Sequence, residues 1–291
     1  MLSFSVGPFA LSLNHLLLLV ALALATLVGW ISGRKQRINP ERAVFGLFMF
    51  GLLVARLAFV VRYWAQYESD LLRIVDIRDG GFSAWPGVLA IVVGAAVIAW
   101  RRPLQRRPLG WGVASGLLFW WLSSLAIESL RRDVPLPDLT LRNGAGESVQ
   151  LRDYTGRKLV VNLWATWCPP CRREMPVLQA AQQANPDVVF LFVNQGESPR
   201  EVATFLSSQG LQLDNVLFDD SGELGRRAGS AALPTTLFYG MNGRQLDGHL
   251  GELSSASLTH YLDGFSQPSS ASSPTSSQPS SPPSSQQRTT P

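Results

Sequence analysis

The chain of 291 residues has two cysteines, Cys168 and Cys171, and both lie in the stretch WATWCPPCRREMP. Two thiols at this spacing can close and open as a disulfide. If the first opens a helix, unpaired N–H groups and the positive end of the helix dipole lie near its sulfur. Both favour thiolate over thiol. Cys168 is then the attacking group, and Cys171, nearly one turn further on, resolves the mixed disulfide. Pro169 and Pro170 remove N–H groups only where a helix leaves them unpaired, and they stiffen the loop. Trp164 and Trp167 flank the pair and can shield it. Two other uses of a Cys-x-x-Cys compete. Half a zinc site needs two further ligands, and the three histidines, His15, His249 and His260, show no ligand spacing. A purely structural disulfide across so small a ring removes little chain entropy. Redox exchange is the stronger reading. Its only redox group is the Cys168–Cys171 pair, with no added cofactor or metal.

The dithiol needs a strand and a helix to position it. LVVNLWA (159–165) is a short apolar run rich in β-branched residues and reads as a buried strand, followed by a helix over about 168–184. DVVFLFVN (187–194) is a second buried strand. In SPREVATFL, Ser198 is placed to cap, Pro199 to be the first helical residue and Glu201 to close a capping box. NVLFDD is a third strand. PTTLFYG and RQLDGHL flank the turn MNG as a hairpin, and a last helix spans about 254–264. This order predicts a mixed α/β sheet with helices on both faces.

Outside that region the composition changes. Residues 1–132 carry four apolar segments, about 9–32, 43–61, 85–100 and 109–130, each near the roughly 20 residues that cross a bilayer as helix. The formal net charge of +4 is concentrated in short runs that flank these segments. That pattern reads as membrane topology, not nucleic-acid binding. Arg34, Lys35, Arg37 and Arg42 form one basic loop, and Arg101, Arg102, Arg106 and Arg107 another. Basic loops stay cytoplasmic, which places both termini, and the region after the fourth span, outside. No Lys or Arg precedes the first segment, so it reads as a retained span, not a cleaved leader. Arg56, inside the second span, reads as an internal ion pair or a snorkelling side chain, with a lipid-headgroup or partner contact as the competing reading. The domain reading is a membrane bundle at 1–132, an α/β domain at 133–265 and a disordered Ser/Pro-rich tail at 266–291, too poor in apolar side chains to offset its ordering entropy.

VVNLWATWCPPCRREMPVL, with ALPTTLFYGMNGR downstream, resembles the thioredoxin superfamily, and within it the membrane-anchored TlpA/ResA/DsbE-like thiol-disulfide oxidoreductases. NQGES and PDLTLRNGAGESVQLRDYTGRK fit that subgroup. The resemblance implies a thioredoxin-like fold, with Pro234 as a cis-proline facing the dithiol between Leu233 and Thr235. It implies a substrate-binding surface of Trp167, Leu233, Pro234 and Thr235, and a kink at Pro176. Thioredoxins proper carry a buried Asp six residues before the first cysteine, where this chain has Asn162, which cannot transfer a proton. In the subgroup a Glu three residues after the second cysteine serves near the dithiol, and Glu174 fits, implying a proton-handling role.

GPFALSLNHLLLLVALALATLVGW, VARLAFVVRYW and DIRDGGFSAWPGVLAIVVGAAV resemble the first half of prolipoprotein diacylglyceryl transferases. That family has a His-Gly pair after its Asp-Gly-Gly segment, where this chain has Trp85-Pro86, and its later arginine-bearing segment is absent. A truncated, non-catalytic bundle for anchoring or docking is implied.

The expected function is that of a thiol-disulfide oxidoreductase in the inner membrane, reducing disulfides of partner proteins on the periplasmic or outer side. The spans contain no cysteine to relay electrons, so a membrane electron donor of the DsbD/CcdA type is implied. An oxidase or isomerase using the same dithiol, a lipid-modifying transferase with an appended redox domain, and a metallochaperone using Met175 or His249 are the competing readings.

Overall fold

The structure, a computed structural model, describes residues 3–6, 9–34, 38–68, 70–131, 134–230 and 232–265. The tail expected over 266–291 lies outside them, as do Lys35 and Arg37 of the first basic loop. A short antiparallel pair, β1 (Ser3–Val6) and β2 (Phe9–Ser12), precedes four long helices. These are α1 (Leu13–Gly33), α2 (Glu41–Arg62), α3 (Ala84–Arg101) and α4 (Arg106–Arg131). All four are long and apolar enough to cross a membrane. The first expected span runs from 9, but its initial residues are strand and the helix starts at Leu13.

Small residues let these helices approach closely, because between apolar helices in lipid there is little hydrophobic drive and packing must supply the contact. On α1 the buried positions are Ala21, Ala25, Gly29 and Gly33, one every turn. They meet Gly112 and Gly116 of α4: a Cβ at Gly112 would lie 2.6 Å from the Ala25 carbonyl oxygen, and one at Gly116 would lie 3.0 Å from that of Ala21. Between α2 and α3 the same device recurs, a Cβ at Gly87 falling 2.9 Å from the Gly51 carbonyl oxygen. Large apolar side chains such as Leu27, Phe45, Leu53, Val93 and Leu118 point outward.

From residue 140 the chain forms β3 (Thr140–Asn143), β4 (Ser148–Gln150), β5 (Lys158–Trp164), α5 (Pro169–Ala184), β6 (Val188–Gln195), α6 (Pro199–Ser208), β7 (Val216–Asp219), α7 (Glu223–Arg227), β8 (Thr235–Tyr239), β9 (Gln245–Leu250) and α8 (Ser255–Gly264). The sheet order is β4-β3-β7-β6-β5-β8-β9. β5, β6 and β7 run parallel, while β8 pairs antiparallel with both β5 and β9. This is a mixed, thioredoxin-like sheet. The central strands are buried on both faces, so alternate residues enter different cores. Val160, Phe190, Phe192 and Phe238 pack under α5, α6 and α8. Leu159, Val161, Leu191 and Leu237 pack on the other face with Leu224 of α7.

The expected strands and hairpin are present, and Ser198 and Glu201 form the reciprocal capping box. The β3–β4 hairpin and α7 were not anticipated. Both are short, and Asp219 holds the start of α7 by accepting from the Glu223 and Leu224 N–H groups.

The two halves meet at the α2–α3 loop. Phe59, Val60, Tyr63 and Tyr67 pack against Ala256 of α8, and the Tyr63 hydroxyl lies 2.9 Å from His260 Nδ1. The sheet domain therefore sits on the α2–α3 end of the bundle.

Gly112→Val forces a branched side chain against the α1 backbone, a clash of the kind that costs about 1–3 kcal/mol or more. A marked fall in the thermal midpoint of the detergent-solubilised protein is expected. Gly110→Ala on the same helix, where a Cβ meets nothing within 4 Å, should leave the midpoint in place. Equal midpoints for the two variants would refute close α1–α4 packing.

Candidate functional site

β5 delivers the chain to the top of the sheet, and Ala165–Trp167 turn it into α5. Glu197 ties this turn down. Its carboxylate accepts from the Thr166 N–H at 2.7 Å and from Asn194 Nδ2 at 2.7 Å, and it also meets the Thr166 hydroxyl. Glu197 lies in NQGES, a segment noted in the sequence only for its likeness to a subgroup. A Glu just after a buried strand and level with the dithiol loop was the available signal.

Cys168 is the N-cap of α5, and its sulfur accepts from the Cys171 N–H at 3.3 Å. The first two helical residues are Pro169 and Pro170, which have no N–H. Cys171 thus supplies the first backbone donor of the helix, and it is aimed at Cys168 Sγ. The two sulfurs are joined as a disulfide. Cys168 is 4% exposed and Cys171 fully buried. The two tryptophans separate: Trp164 is buried against Phe205 at a centroid distance of 5.9 Å, whereas Trp167 is 67% exposed beside Cys168 in the chain.

Glu174 is fully buried on α5, three residues after Cys171. Its Oε1 accepts from Asn162 Nδ2 at 2.8 Å, and its Oε2 from the Leu253 N–H at 3.0 Å. Burial pushes its carboxyl up to about 8, against the opposing pull of the Leu253 N–H and the Asn162 amide; the nearby Glu252 carboxylate adds to the rise. The protonated and ionised forms are therefore both accessible near neutral pH. Asn162 spends its second amide hydrogen on Thr236 Oγ1 at 3.0 Å, leaving its own Oδ1 without a partner among the described residues. A protonated Glu174 has an O–H to donate, so rotation of the Asn162 amide would match that oxygen to it. Asn162 cannot carry a proton, but its amide solvates the Glu174 carboxyl.

The Leu233–Pro234 peptide is cis. Pro234 is buried and its carbonyl accepts from the Gly251 N–H at 2.9 Å. Leu233 is half-buried against the same core as the two cysteines. Thr235 is turned inward, its hydroxyl donating to the Ala232 carbonyl and meeting Ser230 Oγ at 2.7 Å. Its side chain is not at the surface. Pro176 lies inside α5. Met175 is fully buried in the core, and both ring nitrogens of His249 are engaged, with the Tyr261 hydroxyl and the Glu252 carbonyl, each at 3.3 Å.

The redoxin family model matches residues 132–253, and the prolipoprotein diacylglyceryl transferase model matches residues 1–117. The thioredoxin-like protein YneN of Bacillus subtilis is 31% identical over 131 residues, which are 44% of this chain and 76% of that protein. The thiol-disulfide oxidoreductase ResA of the same organism is 29% identical over 138 residues, 47% of this chain and 76% of its own. A solved structure, the pneumococcal exposed lipoprotein thioredoxin of Streptococcus pneumoniae, is 28% identical, covering 44% of this chain and 98% of its own with a TM-score of 0.38.

The raised Glu174 carboxyl has a consequence for stability. Between its ordinary value of 4.5 and about 8, the unfolded chain has lost this proton while the folded chain keeps it. Stability from this group is full below 4.5 and is lost as pH rises to about 8, a decline of roughly 5 kcal/mol. The thermal midpoint of the oxidised protein should fall across this range, and Glu174→Gln should remove that part of the fall. Parallel declines in the two proteins would show that Glu174 does not titrate there.

Proposed function

Because the chain belongs to the ResA/DsbE-like thiol-disulfide oxidoreductases, we propose that it is a membrane-anchored reductase whose Cys168–Cys171 dithiol opens disulfides of partner proteins on the outer side of the membrane. The observation that carries this reading is the placement of Cys168 at the cap of α5, under the first N–H of the helix, with the buried carboxyl of Glu174 three residues beyond Cys171. In the reduced protein the Cys171 N–H and the helix dipole stabilise a Cys168 thiolate. That thiolate attacks one sulfur of the partner disulfide, forming a mixed disulfide and releasing the first partner thiolate. Cys171 then attacks Cys168 Sγ, the mixed disulfide breaks, and the second partner thiolate leaves. Two electrons pass to the partner, and Cys168–Cys171 is left oxidised.

Glu174 supports the second step. As carboxylate it accepts the Cys171 proton, and in the reverse direction it returns it. A group poised near neutrality does both. The partner strand is held by the backbone around Leu233, Pro234 and Thr235, with exposed Trp167 as an apolar rim. Thr235 contributes main chain only, since its hydroxyl is committed inside. A membrane dithiol donor of the DsbD/CcdA type restores the reduced state, because the chain has no other cysteine.

Sidedness is supported by two independent features. The basic residues Arg34, Arg42, Arg101, Arg102, Arg106 and Arg107 lie in the α1–α2 and α3–α4 connections, or next to them, and the redox domain packs on the opposite, α2–α3, end. The bundle acts as anchor and docking platform. Its Trp85, where the transferases carry a histidine-bearing pair, is 78% exposed and offers no base.

Cys171→Ser in the full-length protein is expected to accumulate mixed disulfides through Cys168, and Cys168→Ser to accumulate none. Trapping through Cys171 instead would reverse the two roles. In cells the wild-type dithiol should be mostly reduced by alkylation assay and become oxidised when the membrane donor is removed. A dithiol that is oxidised with or without a donor would mean the protein runs as an oxidase. For sidedness, alkaline phosphatase fused after residue 132 should be active. Activity only from a cytoplasmic reporter at that position would overturn the outward placement.

A further inference from the structure

Arg56, the one charged side chain in the middle of α2, is buried, and every N–H of its guanidinium is used. Nε donates to the Ile74 carbonyl, Nη1 to Asp79 Oδ1 at 3.0 Å and to the Gly81 carbonyl, and Nη2 to the Arg73 and Asp76 carbonyls. The α2–α3 loop is thereby wound around one cation. Gly81 is required, because a Cβ there would come within 2.6 Å of both Arg56 and Phe59. The loop presents Asp79, itself 6% exposed, to the redox domain.

Asp79 grips the start of α8. Its Oδ2 accepts from the Ser254 hydroxyl at 2.8 Å, and its carbonyl oxygen accepts from the Ser257 hydroxyl at 2.8 Å. Ser254 is also the N-cap of α8, accepting from the Ser257 N–H at 3.1 Å. The residue before it is Leu253, whose N–H donates to Glu174 Oε2. A continuous path runs from Arg56 through Asp79 and Ser254, and by chain adjacency through Leu253, to the carboxyl of Glu174, three residues after Cys171 on α5.

We propose that Asp79 and Ser254 are positioning residues for disulfide exchange: the membrane bundle, by pinning Ser254, holds the Leu253 N–H on Glu174 and so sets the pH at which Glu174 exchanges its proton. This rests on the acid–base reading of Glu174 given above. The physical link is short. Leu253 and Ser254 are adjacent, so the direction of the Leu253 N–H follows the Ser254 backbone. Leu253 itself is 1% exposed in the apolar core, so a loosened cap removes a hydrogen bond from Glu174 without wetting it. A carboxyl that loses a donor while staying dry holds its proton to higher pH. The other charges around Glu174 are few. Glu252 is paired with Arg173 at 2.8 Å, and His249, on β9, is pushed by burial down to about 4 and is neutral through the range of interest. Asn162 and Thr236 are neutral, and the two sulfurs are on its own helix.

The test uses the full-length, reduced protein in lipid nanodiscs, with its rate of oxidation by a small aromatic disulfide followed from pH 5 to 10. Ser254→Ala should raise the midpoint attributed to Glu174 by half a pH unit or more, about a threefold change in the ionised fraction at a fixed pH below the midpoint. Ser254→Thr, which keeps the hydroxyl, should restore it. Asp79→Asn should act in the same direction as Ser254→Ala. Should Asp79→Asn fail to fold because Arg56 loses its counter-charge, Ser254→Ala still decides the matter, since it leaves the Arg56–Asp79 pair intact. In a Glu174→Gln background Ser254→Ala should have no effect on the profile. If Glu174→Gln leaves the wild-type profile unchanged, the acid–base reading falls and this proposal with it. If Glu174→Gln flattens the profile but Ser254→Ala leaves the midpoint unmoved or lower, the positioning alone is overturned.

Discussion

A guanidinium taken out of water must recover its hydrogen bonds from the protein, and Arg56 recovers five. Much of the arrangement between the two halves of the chain follows from that requirement. Four of the acceptors are backbone carbonyls between residues 73 and 81, so satisfying the cation folds the α2–α3 loop. The fifth is Asp79, whose charge offsets that of Arg56. A buried pair of this kind adds little net stability, because desolvation consumes most of the attraction. Its effect is on arrangement: a half-made set would leave an uncompensated charge, so the loop has one favourable form. That form puts a fixed carboxylate where the cap of α8 can meet it.

The two halves are held by different physics, and the junction reflects both. In the bundle, contact depends on Gly29, Gly87, Gly112 and Gly116 being small enough for backbones to touch. In the redox domain it depends on large side chains buried on both faces of the sheet. Neither mode continues across the boundary. The junction uses Phe59 of α2 and the rings of Tyr63 and Tyr67, which follow that helix, around the small side chain of Ala256, with the Tyr63 hydroxyl meeting His260 across the boundary and the Tyr67 hydroxyl donating to Asp79 within the α2–α3 loop. Such groups give an apolar contact with directional bonds at its rim. They orient the redox domain on the bundle.

The sequence revealed what depends on near neighbours. The dithiol, the strand before it, the helix after it and the capping box at Ser198 are local patterns, and all are in the structure. The four long helices follow from composition alone. What was not legible depends on pairs far apart in the chain. Glu174 could be placed on the helix face near Cys171, but its burial, which raises its titration toward neutrality, was not legible, nor was the donor that limits that rise, the Leu253 N–H, 79 residues away. Asp79 entered the sequence reading within DIRDGGFSAWPGVLAIVVGAAV, as part of a likeness to a family. Its role as acceptor for Ser254 spans 175 residues. The β3–β4 hairpin was missed because strands this short carry too few residues for an alternation to be seen. Arg56 was legible as an internal ion pair or a snorkel, but not its partner.

The dithiol and Glu174 divide the electrostatic work along one helix. At its start, the absent N–H groups of Pro169 and Pro170 leave Cys171 as the first donor, directed at Cys168 Sγ. In the proposed exchange Cys168 is thereby favoured as the anion, while Cys171, a turn inside and fully buried, is the neutral resolving thiol. A resolving thiol held neutral by burial cannot attack until its proton leaves, and water does not reach it to take the proton. The acceptor must then be inside, dry enough to be basic near neutral pH yet solvated enough to ionise at all. Glu174 meets both conditions, because burial raises its basicity while two donors, the Asn162 amide and the Leu253 N–H, limit the rise. Asn162 belongs to the central strand and is fixed by the sheet. Leu253 precedes a helix that rests on the membrane bundle. Of the two donors, only the second leaves the acid open to adjustment from outside the redox domain.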